Sequence, residues 1–263
     1  MSDHCERSWG SLLTSSKPCV ESVIASSESR VEAAADRESP LVVKLGGSLL
    51  DLPDLAQRLQ HCLQTLQASA VVLVVGGGAT ADVVRNWQRQ FSLTDSAAHD
   101  LAIHAMHLNA QCIHQLLPES KWLDGNRSKQ WSGQKAGEAR DENSAGQLYL
   151  ANVPALLTEF EPHLGPLDRS WDVTSDSIAA YLADGLQIYR LLLLKSADAG
   201  NDSAIVDEAA SQDKCVQQMQ SQGLVDVAFQ TYAARLSELL WCNLRRSTPQ
   251  VRTLWNRSAD DGY

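Results

Sequence analysis

The sequence lacks three features, and each absence argues against a class of protein. No apolar run approaches the roughly eighteen residues of a membrane helix, and the N-terminus has no secretory-signal pattern. The six cysteines show no CxxC spacing, which favours reduced thiols in the cytosol over a disulfide framework or a zinc ribbon. With 22 basic against 32 acidic residues, a net charge of -10 and a pI near 5.1, a broad basic face for nucleic acid is not expected. We therefore expect a cytoplasmic protein that engages neither nucleic acid nor membrane.

Composition divides the chain into an extension and one domain. Residues 1–39 hold ten serines and no sustained apolar period, which indicates a disordered N-terminal extension. Seven acidic against four basic residues there argue against a transit peptide. Residues 40–263 are long enough for one globular domain with a substantial core. Within it, 124–146 is polar and is expected to form a loop or an insertion.

From residue 41 onward, apolar runs alternate with amphipathic stretches. This β-α-β-α order predicts an α/β protein, a three-layer α/β/α sandwich around a mostly parallel central sheet. The expected strands are LVVKL, VVLVV, YLANV, 188–194 and 238–244, and the expected helices are 52–67, 79–90, 96–117 and one near 227–238.

Two of these strands end in glycine. LVVKLGGS places Lys44, Gly46, Gly47 and Ser48 at the carboxyl end of a buried strand, and VVLVVGGG repeats the arrangement at 76–78. Open α/β sheets bind ligands at this edge, and bare backbone amides let phosphate oxygens approach. One such turn could serve only for tight packing. Two turns, one of them containing a lysine, favour an anion-binding edge.

The order KLGGS, VVGGG, DVTSDSIAAYLA and LLLLKSADAG resembles the amino acid kinase family over residues 41–245. The resemblance implies a kinase that uses ATP and Mg²⁺, acts on a small-molecule substrate and forms a homo-oligomer. GGGATADVVRNW, SAAHDLAIHAM and SWDVTSDSIAAYLA are similar to the branch of the family that phosphorylates an aminomethylfuran phosphate to its diphosphate, in methanofuran-type one-carbon cofactor biosynthesis.

The resemblance also implies roles for individual residues. Lys44 and Asp176 would be catalytic, with Mg²⁺ near Asp176. The residues expected to bind ATP or its phosphates are Gly46, Gly47, Ser48, Lys195, Ser196, Asp198 and Gly200. Those expected to bind the acceptor are Gly76, Gly77, Gly78, Arg85, Asp172, Thr174 and Ser175.

Some of these residues have a purely structural interpretation as well. Thr174 or Ser175 could cap the helix that begins there, and Asp176 would be favourable in its first turn without any catalytic role. The family's late lysine in a GGM-x-x-K segment is missing, and Arg85, Lys195 and Lys214 are the three alternatives for replacing its charge.

Other functions stay open at this stage. The acceptor could be another phosphomonoester, a carboxylate or a carbamate, or the chain could be a non-catalytic nucleotide-binding protein with storage or regulatory duties. His99, His104 and His107 lie on one predicted helix, but no carboxylate or cysteine completes a ligand set there, so internal hydrogen bonds are favoured over a zinc site.

Overall fold

The computed structural model describes residues 39–66, 68–125, 146–199 and 212–257. The expectations for the extension at 1–38 and for most of the polar segment, 126–145, lie outside these residues. Among the helices that are described, none combines the length and apolar character needed to cross a membrane.

The described elements form a seven-stranded sheet with helices on both faces. The strands are β1 (Leu41–Leu45), β2 (Ala70–Val75), β3 (Lys121–Leu123), β4 (Gln147–Ala151), β5 (Arg190–Lys195), β6 (Glu238–Asn243) and β7 (Arg252–Asn256). The helices are α1 (Leu55–Thr65), α2 (Gly78–Phe91), α3 (Asp95–Leu116), α4 (Val153–Leu164), α5 (Ser175–Gly185), α6 (Gln212–Ser221) and α7 (Phe229–Ala233), with a 3₁₀ turn at Gly47–Leu49. The strand order is β3-β4-β2-β1-β5-β6-β7, and every pair is parallel except β6 with β7.

The central strands are apolar on both sides because both faces of the sheet are covered. Successive side chains of a strand point to opposite faces. Val42 packs with α4 and α5 in one core, whereas Val43 packs with α1 in the other. Leu191 and Leu192 of β5 divide between the cores in the same way. This explains why β1, β2 and β5 are nearly continuous apolar runs.

The helices differ in how much of their surface they bury. Helix α1 buries one stripe, Leu55, Leu59 and Cys62, at the spacing of one helical face. Helix α5 is buried on all sides from Asp176 to Ala183, because it lies over the centre of the sheet.

The predicted three-layer fold with a mostly parallel sheet is confirmed. Two edge strands, β3 and β7, were not expected, since β3 has three residues and β7 has only intermediate burial and exposed positions. The helix expected near 227–238 is shorter, Phe229–Ala233, because strand β6 already begins at Glu238.

Candidate functional site

The two glycine turns lie against each other at the carboxyl edge of the sheet. Their strands, β1 and β2, are parallel neighbours with Leu45 opposite Val75. A Cβ added to Gly47 would lie 2.1 Å from the backbone nitrogen of Gly78, and Gly78 itself has a φ of +48°. Only glycine at these two positions allows this approach.

Three charged groups meet beside these turns, with Lys44 and Asp176 buried and Lys195 partly buried. The Lys44 Nζ lies 2.7 Å from Oδ1 of Asp176, and the Lys195 Nζ lies 2.6 Å from Oδ2 of the same carboxylate. Lys195 also donates to the carbonyl of Leu224 at 2.7 Å. Two positive groups therefore share one negative group, which leaves a net positive charge at the edge where ligands bind.

The sheet explains why the two lysines meet. Strand β1 pairs with β5, and Lys44 lies opposite Leu193 in their register. By the two-residue period, Lys44 points to the same face as Val42, and Lys195 points to the same face as Leu193. Helix α5 covers that face, and its first turn supplies Asp176.

Burial and ion pairing act in opposite directions on these groups. Burial tends to raise the pKa of Asp176, but Lys195 and Lys44 outweigh it and lower that pKa to about 2. Burial lowers the pKa of Lys195 to about 8; the nearby Lys44 also lowers it, and Asp176 only partly offsets both. Asp176 is therefore ionised at neutral pH, and Lys195 carries a charge that mild alkali removes.

Asp226 is a site residue that sequence reasoning did not include among the candidates. Its Oδ2 accepts hydrogen bonds from the backbone N–H of Thr174 and of Ser177, both at 3.0 Å, and from the Thr174 hydroxyl at 2.8 Å, while its Oδ1 accepts one from the Ser177 hydroxyl. A carboxylate from outside the helix thus caps α5. Thr174 occupies the N-cap position but makes no capping bond with its own side chain, so the capping expected from Thr174 is supplied by Asp226.

Asn109 is a second residue that was not anticipated. Its side-chain amide donates to the carbonyls of Gly76 and Gly77, both at 2.8 Å, and its Oδ1 accepts from the Thr80 hydroxyl at 2.8 Å. Its signal in the sequence is an amide side chain within a helix that is expected to be largely buried, because buried amides need hydrogen-bond partners. Asn109 therefore fixes the second glycine turn from helix α3.

A cavity of about 190 Å³ opens next to this second turn. Arg85 lies at its wall with the guanidinium carbon 4.2 Å from the centre of the Trp171 ring, and it pairs with Asp82 at 2.6 Å. The Trp171 indole N–H donates to Gln88 at 2.6 Å, which fixes the ring. The remaining lining residues are Gly77, Gly78, Ala81, His99, Ala102, Ile103, Met106, Val173, Thr174, Ser175 and Ile178.

On the other side of the first glycine turn lie the residues expected to bind ATP. The Ser48 hydroxyl donates to that of Ser196 at 3.0 Å, which joins the β1 and β5 turns. Asp198 accepts hydrogen bonds from Arg246 at 2.7 Å and from Asn243 at 3.0 Å. Arg245 donates to the Ser48 carbonyl at 2.7 Å. Two arginines that were not expected therefore lie on this side of the site.

Not every candidate is brought to the site. Asp172 is exposed and is not among the residues that line the cavity, while its carbonyl accepts from the N–H of Ala228. Lys214 is exposed on α6 and takes no part in the charged cluster. Gly200 lies outside the described residues.

The described residues do not offer Mg²⁺ a protein ligand set. They contain no group of three histidine, cysteine, aspartate or glutamate side chains that could hold a metal ion. Both oxygens of Asp176 already face lysines. A magnesium ion bound directly by Asp176 does not fit this arrangement.

Sequence comparison connects this geometry to known proteins. A model of the amino acid kinase family matches residues 39–200. The [5-(aminomethyl)furan-3-yl]methyl phosphate kinase of Methanocaldococcus jannaschii is 26% identical over 158 residues, which cover 60% of this chain and 66% of that protein. The match thus spans just under two thirds of that relative's length.

Structural comparison gives the same fold. The uridylate kinase from Archaeoglobus fulgidus has a TM-score of 0.50 at 17% identity, covering 76% of this chain and 89% of that one. The UMP kinase from Ureaplasma parvum has a TM-score of 0.51 at 16% identity, covering 80% of this chain and 92% of that one. At these identities the likeness concerns the fold alone.

Replacing Asp176 with asparagine should destabilise the protein. The change leaves the buried Lys44 and the partly buried Lys195 without a counter-charge, and we expect the free energy of unfolding to fall by about 3–5 kcal/mol at pH 7. This loss of unfolding free energy should become smaller as the pH rises, because Lys195 can then lose its proton. Urea unfolding at several pH values measures this.

Asp51→Asn is the matched control, since Asp51 forms an exposed pair with Arg245. It should change the free energy of unfolding by at most about 1 kcal/mol. If both substitutions lowered the free energy of unfolding equally, the Lys44–Asp176–Lys195 cluster would have no special importance for stability.

Proposed function

Because this chain belongs to the amino acid kinase family, we propose that it is an ATP-dependent kinase that phosphorylates an aminomethylfuran phosphate to its diphosphate. The product would serve methanofuran-type one-carbon cofactor biosynthesis. The observation that carries the proposal is the Lys44–Asp176–Lys195 cluster beside two touching glycine turns. The coarser part, a kinase acting on a small molecule, is supported by the family match and by the kinases similar in sequence or fold.

The Lys44–Asp176–Lys195 cluster has the features that phosphoryl transfer requires. An oxygen of the acceptor phosphate forms a bond to the γ-phosphorus of ATP, and the bond from that phosphorus to the bridging oxygen breaks as ADP leaves. Negative charge spreads over the moving group, so catalysis is mainly positioning and charge stabilisation. Lys44, at the β1 turn, is proposed to stabilise the transferring group, and Asp176 to orient both lysines.

Lys195 is proposed to supply the charge that the missing late lysine provides elsewhere in the family. Of the three residues considered for this role, Lys195 is the one that contacts Asp176, on the oxygen opposite Lys44. Arg85 lies at the acceptor cavity, and Lys214 is exposed on α6. Lys195 ends β5 next to the β1 turn, since Leu45 and Leu194 are paired in the sheet.

The proposed acceptor fits the cavity beside the second turn. The acceptor's phosphate would approach the backbone of Gly77 and Gly78, with Arg85 as its cationic partner. The volume of about 190 Å³ lies below the roughly 300–1,000 Å³ of pockets for drug-sized ligands, which favours a small acceptor. Trp171 and Met106 provide an apolar wall for a furan ring.

Three finer parts belong to the same proposal. Mg²⁺ would arrive on the phosphates of ATP, since the described residues offer it no ligand set of their own. The protein would act in the cytoplasm. A homo-oligomer is supported by exposed apolar side chains on α2 and α3, among them Trp87, Phe91 and Leu108.

Lys44→Ala should lower kcat by about 10²-fold or more, because it removes a charge needed chiefly in the transition state. The KM for ATP should change much less. Steady-state ADP release measures both constants. Lys121→Ala, an exposed lysine on edge strand β3, serves as the control and should keep wild-type kcat. A kcat within a few-fold of wild type for Lys44→Ala would remove Lys44 from the mechanism.

The activity should decline above a pH near 8. The pKa of Lys195 is about 8, so its charge disappears as the pH rises through that value. The decline belongs to kcat/KM, which reports groups of the free enzyme. In Lys195→Arg the guanidinium stays charged, and the decline near pH 8 should be absent. An identical alkaline decline in both proteins would show that another group is responsible.

The acceptor can be identified directly. The purified protein with Mg-ATP is offered [5-(aminomethyl)furan-3-yl]methyl phosphate, isopentenyl phosphate, UMP, carbamate or N-acetylglutamate, and products are identified by mass. We expect a diphosphate from the furan compound alone, formed about 10²-fold or more slowly by the Lys44→Ala control. Turnover of a different acceptor would replace the furan assignment. ATP binding without any turnover would favour a non-catalytic nucleotide-binding protein.

A further inference from the structure

His99 is the polar side chain that the site described so far leaves without a role. It lies in the second turn of α3, is 2% exposed and lines the acceptor cavity. Its Nε2 lies 3.0 Å from the carbonyl oxygen of Val173. Since a carbonyl only accepts, Nε2 must carry the hydrogen, and in the neutral ring Nδ1 is then an acceptor.

The hydrogen-bond acceptor at Nδ1 has no partner among the residues that the structure describes. Nδ1 of His99 is buried and makes no hydrogen bond there. Burial lowers the pKa of His99; the Val173 carbonyl raises it, Arg169 lowers it, and Asp100 and Asp168 raise it, with a net downward shift that favours the neutral ring. A buried acceptor left unpaired is unfavourable, so a ligand donor would be stabilised there.

The distance along α3 places Nδ1 of His99 away from the phosphate end of the cavity. Met106 packs at the second glycine turn, because its Cγ would lie 3.8 Å from a Cβ on Gly77. His99 precedes Met106 by seven residues, which is about 10 Å along a helix. An acceptor with its phosphate at Gly77 would therefore extend its other end toward His99.

Part of the cavity wall is apolar. Ala102, Ile103 and Ile178 line the cavity, and the Trp171 N–H is already donated to Gln88. The nearest charged group on α3, Asp100, pairs with Arg169 at 2.8 Å. His99 is thus placed to discriminate between ligands by hydrogen bonding.

We propose that Nδ1 of His99 accepts a hydrogen bond from a hydroxyl or amine at the end of the acceptor opposite its phosphate. His99 is then a specificity-determining residue, and the acceptor class is a small phosphomonoester with a distal donor. This inference rests on the proposed function, because it takes the cavity beside Gly77 as the acceptor site. It differs from the earlier expectation that Asp172, which is exposed, would bind the acceptor.

The test compares three furan-3-ylmethyl phosphates that carry aminomethyl, hydroxymethyl or ethyl at position 5. Binding of each is measured by calorimetry with a non-transferable ATP analogue present. Wild-type protein should bind at least one donor-bearing compound about 10-fold or more tightly than the ethyl compound. Which of the two donors binds better distinguishes an amine from a hydroxyl.

Two substitutions separate the roles of the two ring nitrogens. His99→Gln can still donate to the Val173 carbonyl but lacks the acceptor at the Nδ1 position, so the preference should fall to about two-fold or less. His99→Asn places an oxygen near Nδ1 and loses the Val173 bond, so it should retain part of the preference. His104→Gln, at an exposed position of the same helix, is the control and should keep the full wild-type preference for donor-bearing compounds.

The outcomes distinguish this inference from the proposed function. A wild-type preference that survives in His99→Gln, or no preference in wild type, overturns the inference even where the furan compounds are phosphorylated. A preference that disappears in His99→Gln supports it, even if none of the compounds is turned over and the proposed function fails. No binding of any compound overturns both.

Discussion

Two ammonium groups that share one buried carboxylate are the constraint on which the site depends. Lys44 and Asp176 are each 4% exposed, Lys195 is partly buried, and charges in such positions are unfavourable unless they are paired. The arrangement holds only if β1, β5 and the first turn of α5 keep their mutual positions. Because the three groups together carry a net positive charge, they attract an anion. A phosphate site requires this property.

The surrounding hydrogen bonds serve to keep this arrangement rigid. Asp226 holds the start of α5, and therefore the position of Asp176, through four hydrogen bonds to Thr174 and Ser177. Asn109 holds the second glycine turn in a comparable way from α3. Both residues act on backbone whose placement decides distances at the site. Groups held before substrate arrives lower the reorganisation needed during the reaction.

The two sides of the site differ in chemistry. The side beyond Ser48 carries exposed charged groups, among them Asp198, Arg245 and Arg246. The side beyond Gly78 is a small cavity that combines apolar side chains such as Ile103 and Ile178 with Arg85 and the buried imidazole of His99. In the proposed reaction, ATP and the acceptor would approach the lysine cluster from these two sides.

The sequence by itself determined the layers of the fold and the edge that carries the site. The apolar runs are too continuous for half-exposed strands, so they required helices on both faces of the sheet. The glycines after β1 and β2 marked its carboxyl edge. Both features can be recognised from local composition and periodicity. Only the tertiary structure decided that Lys195 shares Asp176 with Lys44, since this depends on β5 lying next to β1, a pairing of segments about 150 residues apart. It also decided that Asp226 rather than Thr174 caps α5, that Asn109 supports the second turn, and that His99 rather than Asp172 lines the cavity. Each of these contacts joins segments distant in sequence, and local periodicity carries no information about which distant segments come together.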